Sequence, residues 1–251
     1  MLARLHERKL LIPTAMVLVA VPVLVWLGLW QLDRKAWKDG LIADIAARTA
    51  AAPVDLERLL AGPSGDGQAA KSNLEYARAR VRGRYLHDKE LYFYAPDQRL
   101  GPGVHVYTPF ARSGSGDVLF VNRGFVPERF KEPASRGQGQ VPGEVEVVGL
   151  VRLPGAHARF VPDNDRKANL WFWRDFDGMV RAAFGDPAPK TVPVFLDAEA
   201  DAPGGWPKGG VTELKLSNRH LEYALTWLGL AVALVAIYGV YAVTRLRDDG
   251  S

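Results

Sequence analysis

Two long uncharged segments lie near opposite ends of this 251-residue chain. Leu10 to Leu32 contains no charged residue over 23 positions, and Tyr223 to Thr244 contains none over 22. A helix formed by either segment would be roughly 33–35 Å long, which is enough to cross a hydrocarbon core of about 30 Å. Core helices of soluble proteins rarely need that length. The sequence therefore predicts two transmembrane helices, with the residues between them on one side of a membrane.

The two segments divide the chain into five parts. We expect a cytoplasmic tail at 1–9, a transmembrane helix at 10–32, a periplasmic β-rich domain at 33–222, a second transmembrane helix at 223–244 and a cytoplasmic tail at 245–251. Both tails carry basic residues, which favours the cytoplasm. Cations just beyond the first helix argue for the opposite orientation, but long segments translocate largely regardless of charge. The prediction is a two-pass protein of the inner membrane.

The first apolar segment also needs to be distinguished from a secretory signal peptide. Its uncharged run is longer than the apolar region of such peptides, which spans about 7–15 residues. The small-residue stretch at 46–52 resembles a cleavage site, but it follows several charged residues well past the end of the segment. We therefore interpret the segment as an uncleaved anchor.

Composition excludes several kinds of site. The chain has no cysteine, so it contains no disulfide, thiolate zinc site, iron–sulfur ligand or cysteine-based copper relay. The net charge is only +4 and no long basic run occurs, so we expect no nucleic acid as a partner. The five histidines are scattered and give no metal-ligand spacing, and no common catalytic or phosphate-binding motif is present. We predict no catalytic residue and no metal site.

The region between the apolar segments has the pattern of short strands. The first helix is expected to continue to about Thr49, followed by a short helix over Asp55–Leu60 and a loop over Gly62–Gln68. One further helix is predicted from an Asp175 cap to Gly185. Strands are predicted at Tyr76–Leu86, Glu90–Ala95, Val104–Arg112, Asp117–Phe125, Glu144–Leu153, Asn169–Arg174, Thr191–Asp197 and Val211–Leu216. The fold class is thus membrane α+β, with an antiparallel barrel or sandwich between two transmembrane helices.

A polar motif closes the first apolar segment. Trp30 precedes Gln31, Arg34 and Lys38, and these three polar residues share one helical face. One interpretation is an interfacial anchor, with the tryptophan at the lipid headgroups and the cations on lipid phosphates. The other is a contact with a partner. In both interpretations the helix itself lies in the lipid bilayer, which we therefore expect to be a partner of this chain.

A second motif ends a predicted strand at Asn122-Arg123-Gly124. Gly124 can supply a β-bulge with positive φ, and Arg123 can pair with a carboxylate. A structural turn explains this motif more simply than a ligand contact does. The same holds for His105, which lies in a turn that leads into the preceding strand.

A third motif enters the second apolar segment. His220, Tyr223 or Ala224, and Trp227 lie on one face at helical spacing. A histidine at this depth can ligate a haem, with aromatic and small residues beside the ring. It can equally be an interfacial histidine bonded to lipid or backbone. Further along, Gly229 and Ala233 form a small-xxx-small pair, which favours close approach of the two helices or of a partner's helix.

Taken in order, four segments resemble the SURF1 family of cytochrome c oxidase assembly factors. They are 27–38, 104–109, 121–127 and 220–227. The resemblance covers nearly the whole chain, and it includes the layout of two terminal transmembrane helices around a β-rich domain. Two positions depart from the family pattern. Arg219 stands where an asparagine is frequent, which affects the charge beside His220, and Phe125 stands where a tryptophan is frequent.

The resemblance implies a non-catalytic factor that helps to mature the haem-copper oxidase, near haem a delivery or early assembly of the catalytic subunit. The implied partners are that subunit and other oxidase assembly factors. The family has been linked to transient haem a binding through a histidine, and His220 is the matching position, with Tyr223 and Trp227 beside it. Two alternatives stay open: a membrane-anchored periplasmic hydrolase or transferase, and a purely structural two-span scaffold.

Overall fold

The structure is a computed structural model and describes residues 10–61, 74–214 and 216–247. Its elements are α1 (Leu11–Ala50), β1 (Val54–Asp55), α2 (Leu56–Leu60), β2 (Arg78–Tyr85), β3 (Leu91–Tyr94), β4 (Gly103–Arg112), β5 (Val118–Pro127), β6 (Val145–Arg152), β7 (Leu170–Trp171), α3 (Phe176–Phe184), β8 (Thr191–Ala198) and α4 (His220–Arg247). They form two compact units, a helical unit built from the two ends of the chain and a β-domain over Ile45–Leu214. The predictions for the tail at 1–9, the loop at Gly62–Gln68 and the last four residues lie outside the described residues.

Both apolar segments are helical, as the sequence predicts. The helix α1 has 40 residues and α4 has 28, and each is long and apolar enough to cross a membrane. Their apolar side chains are largely exposed, with Ile12 at 72% and Ile237 at 68%, so neither is a buried core helix. Such helices are compatible with a two-pass membrane protein. The helix α1 continues past its apolar part, close to the predicted end.

Small residues let the two long helices of the helical unit pack closely. A Cβ added to Gly28 on α1 would lie 2.8 Å from the side chain of Leu228 on α4, so only glycine leaves room for this leucine. Ala224 and Ala231 of α4 are buried. Gly229 and Ala233 do not bring the two helices together, because both are exposed and Gly229 has open space around it. Their alternative role, a contact with a partner's helix, stays a prediction.

The β-domain is a closed five-stranded barrel. Its strands pair in the order β2–β6–β8–β5–β4, and a pairing between β4 and β2 closes the ring. Three of the short strands extend this ring: β1 pairs with β2, β3 with β4, and β7 with β3. Within the ring the pairs are antiparallel except β5–β8, which is parallel, and the added pairs β1–β2 and β3–β7 are parallel as well. The predicted β-rich domain is confirmed, and the barrel is the correct one of its two predicted forms.

The barrel strand β5 is buried on both faces. In β5, Leu119 and Val121 belong to the cluster inside the barrel, whereas Phe120 belongs to a second cluster outside it. The helix α3 supplies Met179 to the second cluster and covers this outer face of the barrel. Asp175 caps α3 as predicted, since its carboxylate accepts a hydrogen bond from Gly178 N at 2.9 Å.

One predicted strand is absent, and two elements differ from their predicted extents. In the described part of Val211–Leu216 no strand forms, because the barrel is already closed and Thr212 bonds its hydroxyl to Asp197 instead. The strand predicted at Asn169–Arg174 shortens to β7, since Asn169 has a φ of 50° and Phe172 donates its N–H to the side chain of Asn164. The helix predicted from Asp55 starts one residue later, because Asp55 pairs with β2.

Candidate functional site

A hydrogen bond between the two long helices joins two of the sequence motifs. His220, the first residue of α4, lies with its Nδ1 at 2.7 Å from Oε1 of Gln31 on α1. At the other end of the pair, Thr14 Oγ1 bonds to the hydroxyl of Tyr238. The two contacts are 17 residues apart on α1 and 18 apart on α4, which is about 26 Å along either helix. The helices are therefore antiparallel and in register over nearly the thickness of a hydrocarbon core.

A second polar group continues the contact beyond Gln31. Asp39 accepts hydrogen bonds from Lys35 Nζ at 2.6 Å and from Asn218 Nδ2 at 2.7 Å. The hydrogen bond from Lys35 and that from Asn218 lower the pKa of Asp39. Asn218 Oδ1 is buried and has no hydrogen-bond donor among the described residues. The segment before α4 is thus attached to α1 by two neighbouring polar contacts.

We refer to Gln31, Lys35, Asp39, Asn218 and His220 together as the helix-junction cluster. Sequence reasoning selected Gln31 and His220 separately but did not pair them, and it missed the other three residues. Lys35 and Asp39 are spaced i, i+4, which is a recognisable sign of an ion pair on a helix. Nothing in the sequence shows that Asn218 joins them across 179 positions.

The remaining residues of the two motifs lie around this cluster. Trp30 and Tyr223 are about half exposed and Trp227 is partly buried. Arg34 lies three residues after Gln31 on α1, and its guanidinium lies over the ring of Trp37 at 4.0 Å. Lys38 is partly buried, and it makes no hydrogen bond or ion pair with any described residue.

The charge beside His220 is neutralised locally. Arg219 donates to Glu222 with its Nε at 2.9 Å, and this hydrogen bond raises the pKa of the guanidinium. The pair is exposed to solvent, with both side chains about two-thirds accessible. The arginine that departs from the family pattern therefore brings no uncompensated charge to the junction.

The donor set of the junction suits one kind of cofactor. Among the described residues, no group of three histidine, aspartate or glutamate side chains is placed to hold a metal ion. Nε2 of His220 makes no hydrogen bond within the described part of the chain. A bare ion needs several protein ligands, whereas a haem brings four ring nitrogens and needs one or two axial ligands. A single imidazole therefore fits a haem and not an isolated metal ion.

The motif Asn122-Arg123-Gly124 forms a bulge inside the β-domain. Two residues of β5, Arg123 and Gly124, lie opposite one residue of β4, and Gly124 has a φ of 112°. Asn122 is buried, accepts from Gly124 N at 3.1 Å and donates to Asp197 at 3.0 Å. The predicted bulge and its positive φ are confirmed. The segment at Lys208 pairs with the residue after the bulge, Phe125, which is buried.

The bulge directs Arg123 into a buried ion-pair cluster. Arg123 Nη1 lies 3.3 Å from Glu90 Oε1, and Arg136 binds the same carboxylate with both of its terminal nitrogens. All three side chains are at most 3% exposed. Burial alone raises the pKa of Glu90, but contact with His87, the hydrogen bonds of Arg136 and the charges of both arginines lower it to about 2. The carboxylate predicted for Arg123 is thus Glu90.

This cluster has the features of a structural element. Arg136 also donates to the carbonyls of Phe130 and Lys131, and Arg123 donates to that of Gly139. The two guanidinium groups therefore hold the segment between β5 and β6 against the barrel.

A cavity of about 250 Å³ lies beside Arg123. It is lined mainly by valine, alanine and proline, and its charged residues besides Arg123 are Glu146 and Asp201. Glu146 forms an exposed ion pair with Arg82. The cavity thus lacks the convergent nucleophile and base that the enzyme alternative predicts.

His105 has a structural position. It lies on β4 and packs against the ring of Phe125 edge-on, and burial lowers its pKa. The neutral imidazole is therefore favoured, which is consistent with the structural interpretation of this motif.

Comparisons with known proteins match most of the chain. A family model described as the SURF1 family matches residues 18–232, a range that contains both Gln31 and His220. Surfeit locus protein 1 of Mus musculus is 40% identical over 224 residues, covering 82% of this chain and 68% of that protein. The Homo sapiens protein of the same name is 38% identical over 236 residues, covering 86% and 73%. A SURF1-like protein of Drosophila melanogaster is 34% identical over 266 aligned positions, covering 96% and 81%.

Proposed function

This chain belongs to the SURF1 family, and on that premise we propose that it is a non-catalytic assembly factor for the haem-copper cytochrome c oxidase. Its role is to aid haem a insertion or early maturation of the catalytic subunit. The observation that carries this proposal is the family match over residues 18–232. The family match and the named relatives give no support to the hydrolase or transferase alternative.

The proposed location follows from the two long helices. Both cross the inner membrane, with the chain's ends in the cytoplasm and the β-domain in the periplasm. Exposed apolar side chains on α1 and α4 support the bilayer as their environment. A client embedded in the same bilayer can then contact the helices, and its periplasmic loops can contact the β-domain. The partners are the oxidase catalytic subunit and other assembly factors.

Haem a is proposed to bind transiently at His220, beside Tyr223 and Trp227. The support is chemical: a single imidazole at a helix junction, with the half-exposed Tyr223 and the partly buried Trp227 on the same helix. When bound, the haem supplies an iron that accepts a nitrogen lone pair. His220 would hold that iron, and the aromatic side chains would pack against the ring.

Deletion of the gene followed by difference spectra of membranes tests the assembly role. We expect the a-type band to be lost while other cytochromes keep their normal amounts, and the wild-type gene should restore it. An unchanged a-type band would reject the assembly role. Co-purification with an oxidase subunit but never with haem would favour the scaffold alternative.

A substitution of His220 tests the haem site separately from the assembly role. The purified His220→Ala protein should lose Soret absorbance because the iron loses its ligand. His157→Ala is a matched control, since His157 is exposed in the β-domain and stacks on Trp173. Equal Soret absorbance in the His220→Ala and wild-type proteins would reject the site and leave the assembly role intact.

A further inference from the structure

We propose that Gln31 is a positioning residue that holds His220 in the tautomer whose Nε2 can ligate iron. This inference rests on the proposed haem site at His220 and deepens it. It assigns a role to a residue on α1, the helix opposite the ligand. The observation that carries it is the 2.7 Å contact between Gln31 Oε1 and His220 Nδ1.

The chemistry of the two groups fixes the proton. An amide oxygen only accepts hydrogen bonds, so Nδ1 of the imidazole must carry the hydrogen in this contact. In a neutral imidazole the other nitrogen, Nε2, then keeps its lone pair. Only a nitrogen with a lone pair binds a metal, and Nε2 makes no other hydrogen bond within the described part of the chain. The contact therefore selects Nε2 as the ligand.

The packing around the contact keeps it in place. His220 is the first residue of α4, where a side chain without a partner would exchange between rotamers. Leu228 packs into the space over Gly28, and Asn218 bonds to Asp39. These contacts lie on either side of the Gln31–His220 pair and fix the register of the two helices. The ring is therefore oriented before any cofactor arrives.

The same contact controls how strongly the ring donates to iron. A hydrogen bond accepted from Nδ1–H raises the basicity of the ligating nitrogen, and a carboxylate raises it more than an amide does. A more basic ligand stabilises the oxidised iron and lowers its reduction potential. Loss of such a partner typically weakens metal binding by about 10–100-fold.

These properties define two informative variants. Gln31→Glu keeps an acceptor of the same length, so it should bind haem about as tightly as the wild type but at a lower reduction potential. Gln31→Leu removes the acceptor, and its haem affinity should fall by about 10–100-fold. Ala36→Leu is the control, because it enlarges an exposed residue on the same helix outside the junction.

The measurements use the full-length protein in nanodiscs, titrated with haem and followed in the Soret band. The reduction potential of each loaded variant is then determined by a redox titration. We expect haem affinity to fall in Gln31→Leu and to equal that of the wild type in Gln31→Glu. The reduction potential should be lower in Gln31→Glu, and Ala36→Leu should change neither quantity. The potential distinguishes a positioning role from a purely structural one, since a packing defect would not lower it selectively in the glutamate variant.

Two outcomes would overturn the inference. The first is a wild-type affinity in Gln31→Leu under conditions where His220→Ala has lost the haem; the haem site would then stand without the positioning role. The second is an unchanged potential in Gln31→Glu. Retention of haem by His220→Ala would instead reject the proposed site itself. If Gln31→Leu fails to fold, the reduction potential of haem-loaded Gln31→Glu still tests the inference, because an unchanged value rejects it.

Discussion

At the residue scale, Glu90 carries a buried charge on which the β-domain depends. Its carboxylate is bound by Arg123 and Arg136, and all three side chains are nearly inaccessible. Glu90→Gln would leave two buried guanidinium groups beside a neutral amide. We expect the free energy of unfolding to fall by about 3–5 kcal/mol, measured by urea denaturation of the full-length protein in detergent at pH 7.

Acid should have a related effect on the wild type. The pKa of Glu90 in the folded protein is about 2, below its ordinary 4.5, so the ionised form stabilises folding. That contribution, roughly 3 kcal/mol, is complete above about pH 4.5 and is lost as the pH falls towards 2. Glu90→Gln should show a flatter dependence in this window. The stability of Glu90→Gln will still fall somewhat with decreasing pH, because the hydrogen bond from Arg112 lowers the pKa of Asp117, which also stabilises folding when ionised.

Glu146→Gln is the control for both measurements. Glu146 pairs with Arg82 at 2.9 Å, but the arginine is 72% exposed. Solvent screens such a pair, so no resolvable change in stability is expected. If Glu90→Gln were as stable as Glu146→Gln, the buried cluster would not have the structural role described above.

The buried cluster also shows which part of a site the sequence reveals. Arg123 and Gly124 were predicted because a glycine after an arginine at a strand end is a local pattern. Glu90 lies 33 positions from Arg123 and 46 from Arg136. No pattern in the sequence around Glu90 or Arg136 indicates these contacts. The same distinction separates Gln31 and His220, which were selected singly, from their contact across 189 positions.

At the element scale, the bulge in β5 depends on one glycine. Gly124 has a φ of 112°, and a Cβ there would overlap the carbonyl oxygen of Lys208. Gly124→Ala combines backbone strain with this overlap, so its unfolding free energy should fall by more than about 3 kcal/mol. Urea denaturation of the purified protein measures the change.

Gly114 provides the matched glycine. It has a φ of 86° in the turn between β4 and β5, with open space around the missing Cβ. Gly114→Ala therefore introduces backbone strain without an overlap, and its free energy of unfolding should fall by only about 1–2 kcal/mol. Equal effects of the two substitutions would show that the approach of Lys208 is not required for stability.

The helix pair makes a second prediction at this scale. Gly28→Ile would push Leu228 away and separate α1 from α4, whereas Gly229→Ile adds bulk where there is open space. Because the chain has no cysteine, Thr14→Cys and Tyr238→Cys introduce two unique thiols. A short bis-maleimide should link them efficiently in the Gly229→Ile background and several-fold less in Gly28→Ile. Mass spectrometry of the linked peptides gives the yield, and equal yields would contradict the packing.

The elements themselves were predictable to different degrees. Long uncharged segments and alternating strands predicted α1, α4 and most of the barrel, because their periodicity is local. Ring closure was not predictable, since it depends on β2 pairing with β4 as well as with β6. That closure explains the wrong strand at Val211–Leu216: the pattern suits a strand, but no barrel edge is left to pair with it.

At the scale of the whole molecule, the two long helices predict that both chain ends lie on one side of a membrane and the β-domain on the other. The absence of native cysteine makes each engineered thiol a specific reporter. Asp163→Cys places one on the β-domain at a side chain that is 96% exposed. A cysteine appended after Ser251 reports on the other side without removing a basic residue from either tail.

A membrane-impermeant maleimide applied to cells with a permeabilised outer membrane should label Asp163→Cys at once. It should label the appended cysteine only after the inner membrane is disrupted. This outcome follows from a pair of apolar helices that both cross the bilayer, because an even number of crossings returns the chain to its original side. Labelling of both thiols in unbroken cells would mean that one helix does not cross, and a reversed order would place the β-domain in the cytoplasm. Either result would remove the proposed access of the β-domain to periplasmic loops of the oxidase.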